Sequence, residues 1–207
     1  MEITWHGYSC FTVKTAGATV VINPYNDDKG LKIPKLKADI AIVTGAVPGN
    51  NNLSALWGEP YIIDWPGEYE VKEVAVTALP IPESKGFFFN LMGDGLKTCF
   101  IEKAGKELDD EFIDKIGDVD VLFVSIGGNG AMTAQTAQRV IEKIEPRAVV
   151  PMYYAVNGSV ETLAGLDEFL KESGATAKEP QEKISLSGKS SFKEDQMEYF
   201  FLTPQTA

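Results

Sequence analysis

The sequence predicts a single α/β domain, covering residues 1–207, that is rich in antiparallel sheet. Short runs of β-branched and aromatic residues dominate the first half, whereas the second half alternates between strand-like and helix-like runs. No internal repeat, linker or low-complexity segment divides the chain. With 207 residues, of which 44% are hydrophobic, the chain is long enough to bury one substantial core.

The first half is predicted to consist mainly of strands. In chain order they cover residues 2–5, 10–14, 19–22, 40–43, 61–63, 71–78, 87–92 and 98–101. The first three lie so close together in the chain that an antiparallel meander is expected. Gly93, Asp94 and Gly95 separate the last two, and this composition is typical of a hairpin turn.

The second half is predicted to alternate helix and strand. Helices are expected at residues 109–116, from about Thr133 to the residue before Pro146, and from a cap at Ser159 to a stop at Gly174. The second helix carries one apolar stripe, formed by Ala134, Ala137, Val140, Ile141 and Ile144. Strands are expected at residues 119–124, 148–151 and 199–202.

Charge and composition exclude several classes of function. The 19 Lys and Arg residues face 30 Asp and Glu residues, so the formal charge of −11 repels nucleic acids and anionic membrane surfaces. No apolar run is long enough to span a bilayer, and the start of the chain does not read as a signal peptide. A soluble, cytoplasmic protein is therefore expected. Cys10 and Cys99 each lie in an apolar run, as is typical of buried reduced thiols.

His6 is the only histidine, so a site that needs two or more imidazoles cannot be built. A mononuclear site combining His6 with cysteine or carboxylates is possible in principle, but no ligand pair flanks it at a recognisable spacing. On strand parity His6 lies with Glu2 and Thr4, which favours a polar residue at a strand end.

Seven short motifs occur in an order that resembles the metallo-β-lactamase superfamily. They are residues 7–11 (GYSCF), 21–25 (VINPY), 38–44 (ADIAIVT), 66–71 (PGEYEV), 119–122 (VDVL), 126–128 (IGG) and 151–154 (PMYY). The series is similar in particular to a small bacterial branch of metal-dependent hydrolases related to ascorbate-phosphate lactonase, and it spans about residues 1–202. The resemblance implies a four-layer αββα sandwich with a metal site at one edge of the paired sheets. It does not by itself imply the activity.

The family's metal ligands are replaced in this sequence. The positions that the resemblance assigns to the metal site hold Tyr8, Asn23, Gly45, Val47, Gly49, Asn50, Lys103 and Tyr153. Glycine and valine offer no donor atom, asparagine and tyrosine replace imidazole poorly, and an ammonium repels a dication. We therefore expect no metal, no cofactor and no hydrolysis by the family's two-metal mechanism, with no catalytic residue at these positions.

The resemblance leads to a metal-free, degenerate member of the fold, a pseudoenzyme with a binding or assembly role, acting as a homo-oligomer or beside an intact paralogue. If Lys103 takes the place of the metals, Tyr8, Asn23, Asn50 and Tyr153 would surround one cation with neutral groups, which suits an anionic small molecule. The alternative is a metal-dependent hydrolase with a rebuilt site that uses Asp, Glu or His6. A mainly structural subunit is a third possibility.

Four more features have both a functional and a structural interpretation. Cys10 with His6 as its base is conceivable, although a buried cysteine is the simpler interpretation. The loop at residues 127–130 could bind an anion through its amides or be only a tight turn. Glu68 and Glu70 favour a turn and strand start over an acid pair. Residues 87–89, three phenylalanines, favour core packing with one exposed ring.

Overall fold

The computed structural model describes residues 1–81, 86–103 and 110–207. The strands are β1 (Glu2–Trp5), β2 (Phe11–Lys14), β3 (Thr19–Ile22), β4 (Leu36–Lys37), β5 (Ile40–Ile42), β6 (Leu56–Trp57), β7 (Tyr61–Ile63), β8 (Gly67–Val71), β9 (Val74–Pro80), β10 (Phe87–Gly93), β11 (Leu96–Ile101), β12 (Val121–Ser125), β13 (Ala148–Met152), β14 (Lys183–Ser185) and β15 (Glu198–Tyr199). The helices are α1 (Asp110–Ile116), α2 (Ala134–Ile144) and α3 (Leu166–Ser173). Three single 3₁₀ turns, Asp27–Lys29, Leu53–Ala55 and Lys189–Ser191, lie in the connections.

Two large mixed sheets form the body of the molecule. The first has the order β14-β1-β2-β3-β5-β7, and the second has the order β15-β13-β12-β11-β10-β9-β8. Strands β1 to β3 form the predicted antiparallel meander, whereas β5 and β7 join in parallel. In the second sheet β8 to β11 are antiparallel, and β12, β13 and β15 are added in parallel.

The two sheets pack face to face through their aromatic side chains. Phe11 of the first sheet lies 5.0 Å from Phe123 and 5.9 Å from Phe100 of the second, measured between ring centroids. Such tilted and edge-on arrangements are favourable for aromatic pairs. These contacts belong to one hydrophobic cluster that draws on both sheets and on the helices. The mixed α/β fold expected from the resemblance is confirmed.

Two hairpins close with two-residue loops in which both central residues have positive φ. The loop between β10 and β11 is Asp94-Gly95, inside the predicted turn. The other is Lys72-Glu73, where Val71 pairs with Val74. The prediction of a single strand over residues 71–78 was wrong because this second loop has neither glycine nor asparagine to mark it.

The three helices lie in the second half of the chain, and α2 contacts α1, α3 and β12. Helix α2 carries the predicted buried stripe, and the Thr133 side chain caps it by accepting a hydrogen bond from the amide of Thr136 at 3.2 Å. The predicted cap at Ser159 was wrong. Its hydroxyl donates to the carbonyl of Val156 at 2.9 Å within a loop, and α3 begins only at Leu166.

Burial corrects one further expectation. All three rings at residues 87–89 are fully buried rather than two of them, because β10 lies inside its sheet and Phe88 packs against Phe112 of α1 at 5.6 Å. Cys10 and Cys99 are both buried free thiols, as predicted. None of the helices in the described ranges is long and apolar enough to cross a bilayer.

Candidate functional site

The positions that the resemblance assigns to the metal site follow the ends of strands. Asn23 comes directly after β3, Asn50 follows the end of β5 at a distance of eight residues, and Tyr153 comes directly after β13. Tyr8 lies in the turn between β1 and β2, and its carbonyl accepts from the Tyr153 amide at 3.0 Å. Loops at the ends of strands in a rigid sandwich are common locations for functional residues.

The backbone at these positions has an unusual conformation. Tyr8, Asn23 and Tyr153 have positive φ values of 48°, 45° and 55°, and Gly45 and Gly49 are also left-handed. Positive φ is uncommon for a residue with a β-carbon, and for a tyrosine it requires support from the surrounding structure. The backbone is therefore strained at the edge of the sandwich where the resemblance places a metal site.

The centre of the site is Glu102, which directly follows β11 and is fully buried. Its Oε1 accepts hydrogen bonds from the Ser9 hydroxyl and, at 2.6 Å, from Asn50 Nδ2. Its Oε2 accepts from Asn23 Nδ2 at 3.0 Å and from the Thr44 hydroxyl at 2.5 Å. Four neutral donors thus occupy the roughly four acceptor positions of one carboxylate. We call these five residues the Glu102 cluster.

The donors of the Glu102 cluster are themselves held in place. Asn23 Oδ1 accepts from the Thr44 amide at 2.9 Å, which fixes the orientation of the Asn23 carboxamide. Asn50 Nδ2 has two hydrogens, and the second is donated to Ser9 Oγ at 2.9 Å. Within the described part of the chain, Asn50 Oδ1 is buried without a hydrogen-bond partner. The four acceptor positions of the Glu102 carboxylate are therefore all used. Asn50 Oδ1 is one further acceptor in the cluster, and it has no donor in the described part of the chain.

Burial raises the pKa of the Glu102 carboxyl above its usual value, because desolvation disfavours the charged form. Hydrogen bonds from Ser9, Thr44 and Asn50 oppose this rise, as does the positive charge of Lys29. The burial effect is the larger one. Protonation of Glu102 therefore occurs at higher pH than for an exposed glutamate.

An ion pair lies beside the Glu102 cluster. The Lys29 ammonium contacts Glu161 Oε1, and the two side chains are 9% and 19% exposed. Tyr153 donates its hydroxyl hydrogen to Glu161 Oε2 at 2.6 Å. Tyr8 donates to the Lys29 carbonyl at 2.5 Å, and its ring lies 5.3 Å below the Lys29 ammonium. Tyr8 and Tyr153 are thus tied to this ion pair and not to the Glu102 carboxylate.

The remaining predicted positions contribute no polar side chain. Gly45 is exposed, whereas Val47 is half-buried and packs against the core. Gly49 is close enough to Lys29 that a methyl group on its α-carbon would lie 3.1 Å from Lys29 Cε. The Lys29 side chain therefore occupies the space next to the Gly49 α-carbon.

The structure does not place Lys103 where the resemblance suggested. Asn23 and Asn50 surround Glu102, and the ammonium of Lys103 instead lies beside Gly130, 3.2 Å from the position of a β-carbon built there. The expectation of a pocket centred on the Lys103 cation was wrong, because the side chain that points into the site after β11 is that of the preceding residue. The cation whose charge acts on the Glu102 carboxyl is that of Lys29.

His6, Cys10 and the loop at residues 127–130 receive little structural support as functional groups. Both ring nitrogens of the buried His6 are engaged, with Thr12 Oγ1 and the Gln205 carbonyl at 2.8 Å each, and burial lowers its pKa. Its ring therefore does not activate Cys10, whose own pKa is raised by complete burial. The loop is a tight turn in which the Ala131 amide donates to the Gly128 carbonyl at 3.0 Å.

Sequence reasoning missed the residues that define the site, namely Glu102, Lys29, Glu161, Ser9 and Thr44. Glu102 directly follows the apolar run at residues 98–101 and precedes a lysine, and such a sequence favours a solvated loop. The one available signal was its place directly after β11, one residue before the position that the resemblance assigns to the metal site. Lys29 and Glu161 are 132 residues apart in the chain and carry no local signal.

The residues of the site do not fit a two-metal centre of the family type. In the described ranges no three His, Cys, Asp or Glu side chains are grouped as they would have to be to hold a metal ion. Glu102 already accepts four hydrogen bonds, and its neighbours offer amide and hydroxyl groups, which are weak ligands for zinc. A dication would have to displace these donors.

Two stacked mixed sheets with strand-end loops converging on one site define a metallo-β-lactamase-like protein, and comparison with known proteins agrees. The model of the beta-lactamase superfamily domain matches residues 2–153, and the chain belongs to this superfamily. The match covers every strand of the first sheet except β14 and every strand of the second except β15.

Relatives extend the likeness over nearly the whole chain. A UPF0173 protein of Pyrococcus furiosus is 27% identical over 195 residues, covering 83% of this chain and 90% of its own length. A UPF0173 metal-dependent hydrolase of Anaeromyxobacter sp. strain K is 24% identical and covers 82% of this chain and 79% of its own. The crystal structure of a proposed zinc-dependent hydrolase of the metallo-β-lactamase superfamily from Thermotoga maritima is 27% identical. It superposes with a TM-score of 0.81 over 98% of this chain and 100% of its own.

Proposed function

We propose that this chain is a metal-independent member of the superfamily that acts through binding or assembly and not through hydrolysis. The observation that carries this proposal is the Glu102 cluster. Four donors from Ser9, Asn23, Thr44 and Asn50 converge on a single carboxylate. An oriented network of this kind stabilises the buried group and leaves it no free lone pair for a metal ion.

The chemistry of the superfamily requires what this site lacks. A metal ion lowers the pKa of a bound water, and a nearby carboxylate orients the resulting nucleophile. Here the positions that the resemblance assigns to imidazoles hold Tyr8, Gly45, Val47, Asn50 and Tyr153. The two tyrosines are engaged with Lys29 and Glu161. The Lys29 ammonium supplies a fixed positive charge within the protein, and its carboxylate partner already neutralises it.

A metal-dependent hydrolase with a rebuilt site is the second candidate function. Two observations favour it: several relatives are named metal-dependent hydrolases, and the site contains two carboxylates, Glu102 and Glu161. Such an enzyme would need both carboxylates to exchange their present partners for a metal ion. The two candidates therefore make opposite predictions about metal content.

Metal analysis separates the two candidates. The chain is purified without added metal beside the Anaeromyxobacter relative, and zinc, manganese and iron are measured by mass spectrometry. We expect far less than one metal ion per chain here, and stoichiometric metal in the relative would confirm that the procedure retains it. One or more ions per chain that are lost in Glu102→Gln and retained in Glu168→Gln, an exposed helix position, would support the second candidate instead.

An anionic small molecule is a further possible ligand of the same site. Because Lys29 is paired with Glu161, such a ligand would have to compete with an internal carboxylate. Thermal shift with inorganic phosphate, performed on wild type and on Glu161→Gln, tests this directly. Stabilisation that appears only in the variant and disappears on adding Lys29→Met would support the ligand, and no shift in either protein would remove it from consideration.

A further inference from the structure

One edge strand of each sheet lies on the same side of the sandwich, and among the described residues no further strand pairs with either. Strand β7 is the last strand of the first sheet, and β8 is the last strand of the second. Only residues 64–66 connect them, so the two edges must lie close together. Contact between the Tyr61 ring of β7 and the Tyr69 ring of β8, with centroids 6.3 Å apart, confirms this closeness.

Exposed aromatic side chains lie near this side, and Trp57 and Tyr61 both bond to the segment before β5, at the Ala38 amide (3.1 Å) and the Asp39 carbonyl (2.9 Å). Trp57, Tyr61 and Trp65 are 55%, 50% and 73% exposed, and they account for three of the six most exposed large apolar side chains in the described ranges. Tyr69 joins them through its hydroxyl, which donates to the Trp65 carbonyl at 2.9 Å. We call Trp57, Tyr61, Trp65 and Tyr69 the aromatic edge. Exposed tryptophan and tyrosine in a cluster are typical of protein interaction sites.

Carboxylates surround the aromatic edge. Glu59, Asp64, Glu68 and Glu70 are all exposed, and in the part of the chain that the structure describes none of them forms a salt bridge. The nearby cation Lys72 is already paired with Asp39 at 2.5 Å. With four carboxylates against the Lys37 ammonium that lies over Trp57, this side of the molecule has an excess of negative charge next to aromatic faces.

One contact within the chain places a cation against this surface. The Lys37 ammonium lies 5.7 Å from the ring centroid of Trp57, in the geometry of a cation–π interaction. Aromatic faces with adjacent carboxylates would accept lysine or arginine side chains of another molecule in the same way. A second copy of this chain is disfavoured as occupant, because the same four carboxylates would face one another and the chain carries a net charge of −11.

Strand β8 also offers main-chain hydrogen bonds. Its two-residue loop to β9 makes Val71 and Val74 a hydrogen-bonded pair, and the pairing alternates along an antiparallel ladder. The amide and carbonyl groups of Glu68 and Glu70 therefore point away from β9 towards the free edge. An added strand would form main-chain hydrogen bonds with these two residues. Every second side chain of that strand would then lie beside the Glu68 and Glu70 carboxylates.

We propose that the edge of β8 and the aromatic edge bind an extended, lysine- or arginine-bearing segment of a partner protein by strand addition. The segment would pair with Glu68 and Glu70 and place its cations against the carboxylates and the ring of Trp65. This surface uses no residue of the Glu102 cluster, so the proposal stands whether or not the site described above binds metal.

Peptide binding tests the proposal. The probe is an eight-residue peptide that alternates lysine and threonine, and the controls are a glutamate–threonine peptide and a peptide with four lysines followed by four threonines. Binding is measured by titration calorimetry and by tryptophan fluorescence, which reports on the exposed Trp57 and Trp65. We expect the alternating lysine peptide to bind at least tenfold more tightly than either control.

Variants with matched charge identify the surface. Glu68→Lys/Glu70→Lys should weaken binding at least tenfold and Trp65→Ala at least fivefold. Glu168→Lys/Glu172→Lys makes the same charge change on α3 and should alter binding less than twofold. Hydrogen exchange should show new protection of the Glu68 and Glu70 amides in the complex.

Three results would overturn the proposal. The first is an absence of binding by the alternating lysine peptide, and the second is an equal loss in both double variants, which would indicate unspecific charge attraction. The third is a wild-type dimer in solution that Trp65→Ala dissociates, which would assign the surface to a second copy of the chain. Circular dichroism checks that each variant is folded. If Trp65→Ala is unfolded, Trp65→Gln replaces it.

Discussion

Replacement of Glu102 by alanine should destabilise the protein severely, because the carboxylate is the common acceptor of four buried donors. Asn23 Nδ2 would lose its partner, whereas Asn50 Nδ2 would still reach Ser9. The Thr44 hydroxyl could turn to Asn23 Oδ1 at 3.2 Å. With one or two donors left unpaired at about 1–3 kcal/mol each, we expect a loss of about 2–4 kcal/mol in the free energy of unfolding.

The glutamine variant is the matched control. Its side-chain oxygen can still accept from Asn23 and Thr44, while its amide group faces Asn50. The Asn50 carboxamide can rotate so that Oδ1 accepts from this amide, at the cost of the Asn50–Ser9 hydrogen bond. Most of the network is then retained, and we expect Glu102→Gln to cost about 1 kcal/mol, which is less than the alanine variant. Urea unfolding followed by tryptophan fluorescence measures both values. Equal losses in the two variants would refute the assignment of Glu102 as an acceptor shared by four donors.

The raised pKa of Glu102 adds a pH dependence with a definite sign. The folded state holds the proton more strongly than the unfolded state, so the contribution of this group to stability is greatest below the unfolded value near 4.5. That contribution is lost as the pH rises through the higher folded pKa. The stability of wild type relative to Glu102→Gln should therefore fall as the pH rises above 4.5, and a difference that rises with pH would contradict the burial argument.

Three further predictions rest on other contacts. Phe100→Ala should cost about 3–5 kcal/mol in urea unfolding, because the ring is buried against Phe11, Phe89 and Phe123, and a loss below about 1 kcal/mol would contradict the packing described. A double-mutant cycle of Lys29→Met and Glu161→Gln should give a coupling of about 1–2 kcal/mol, and additive losses would mean that this partly exposed ion pair adds no stability. Thr133→Ala should cost about 1 kcal/mol through loss of the cap of α2, with Thr136→Ala as a control of smaller effect.

Much of the fold could be predicted because its signals are local. The β-branched runs of the meander, the Asp94-Gly95 turn and the apolar stripe of α2 each depend on residues close together in the chain. The loop at Lys72-Glu73 was missed for the opposite reason. Its conformation is supported from a distance, because Lys72 pairs with Asp39 and its carbonyl lies against Gly17.

The candidate site was predictable only in part. The resemblance predicts Tyr8, Asn23, Asn50 and Tyr153 around one pocket, whereas the structure has Asn23 and Asn50 in the Glu102 cluster and Tyr8 and Tyr153 at the neighbouring ion pair. It could not identify Glu102 as the centre, because hydrogen bonds across 52 to 93 residues of chain leave no periodic pattern. Whether a buried glutamate serves as an acceptor for neutral donors is decided by tertiary contacts alone.

The left-handed backbone at Tyr8, Asn23 and Tyr153 makes this chain a useful starting point for protein design. The main chain already turns as a ligand-bearing loop would, so imidazoles could be grafted without rebuilding any loop. Such a graft would also have to remove the internal lysine, since its ammonium would repel the incoming ion. Side-chain chemistry and backbone shape can thus be varied separately in one and the same scaffold.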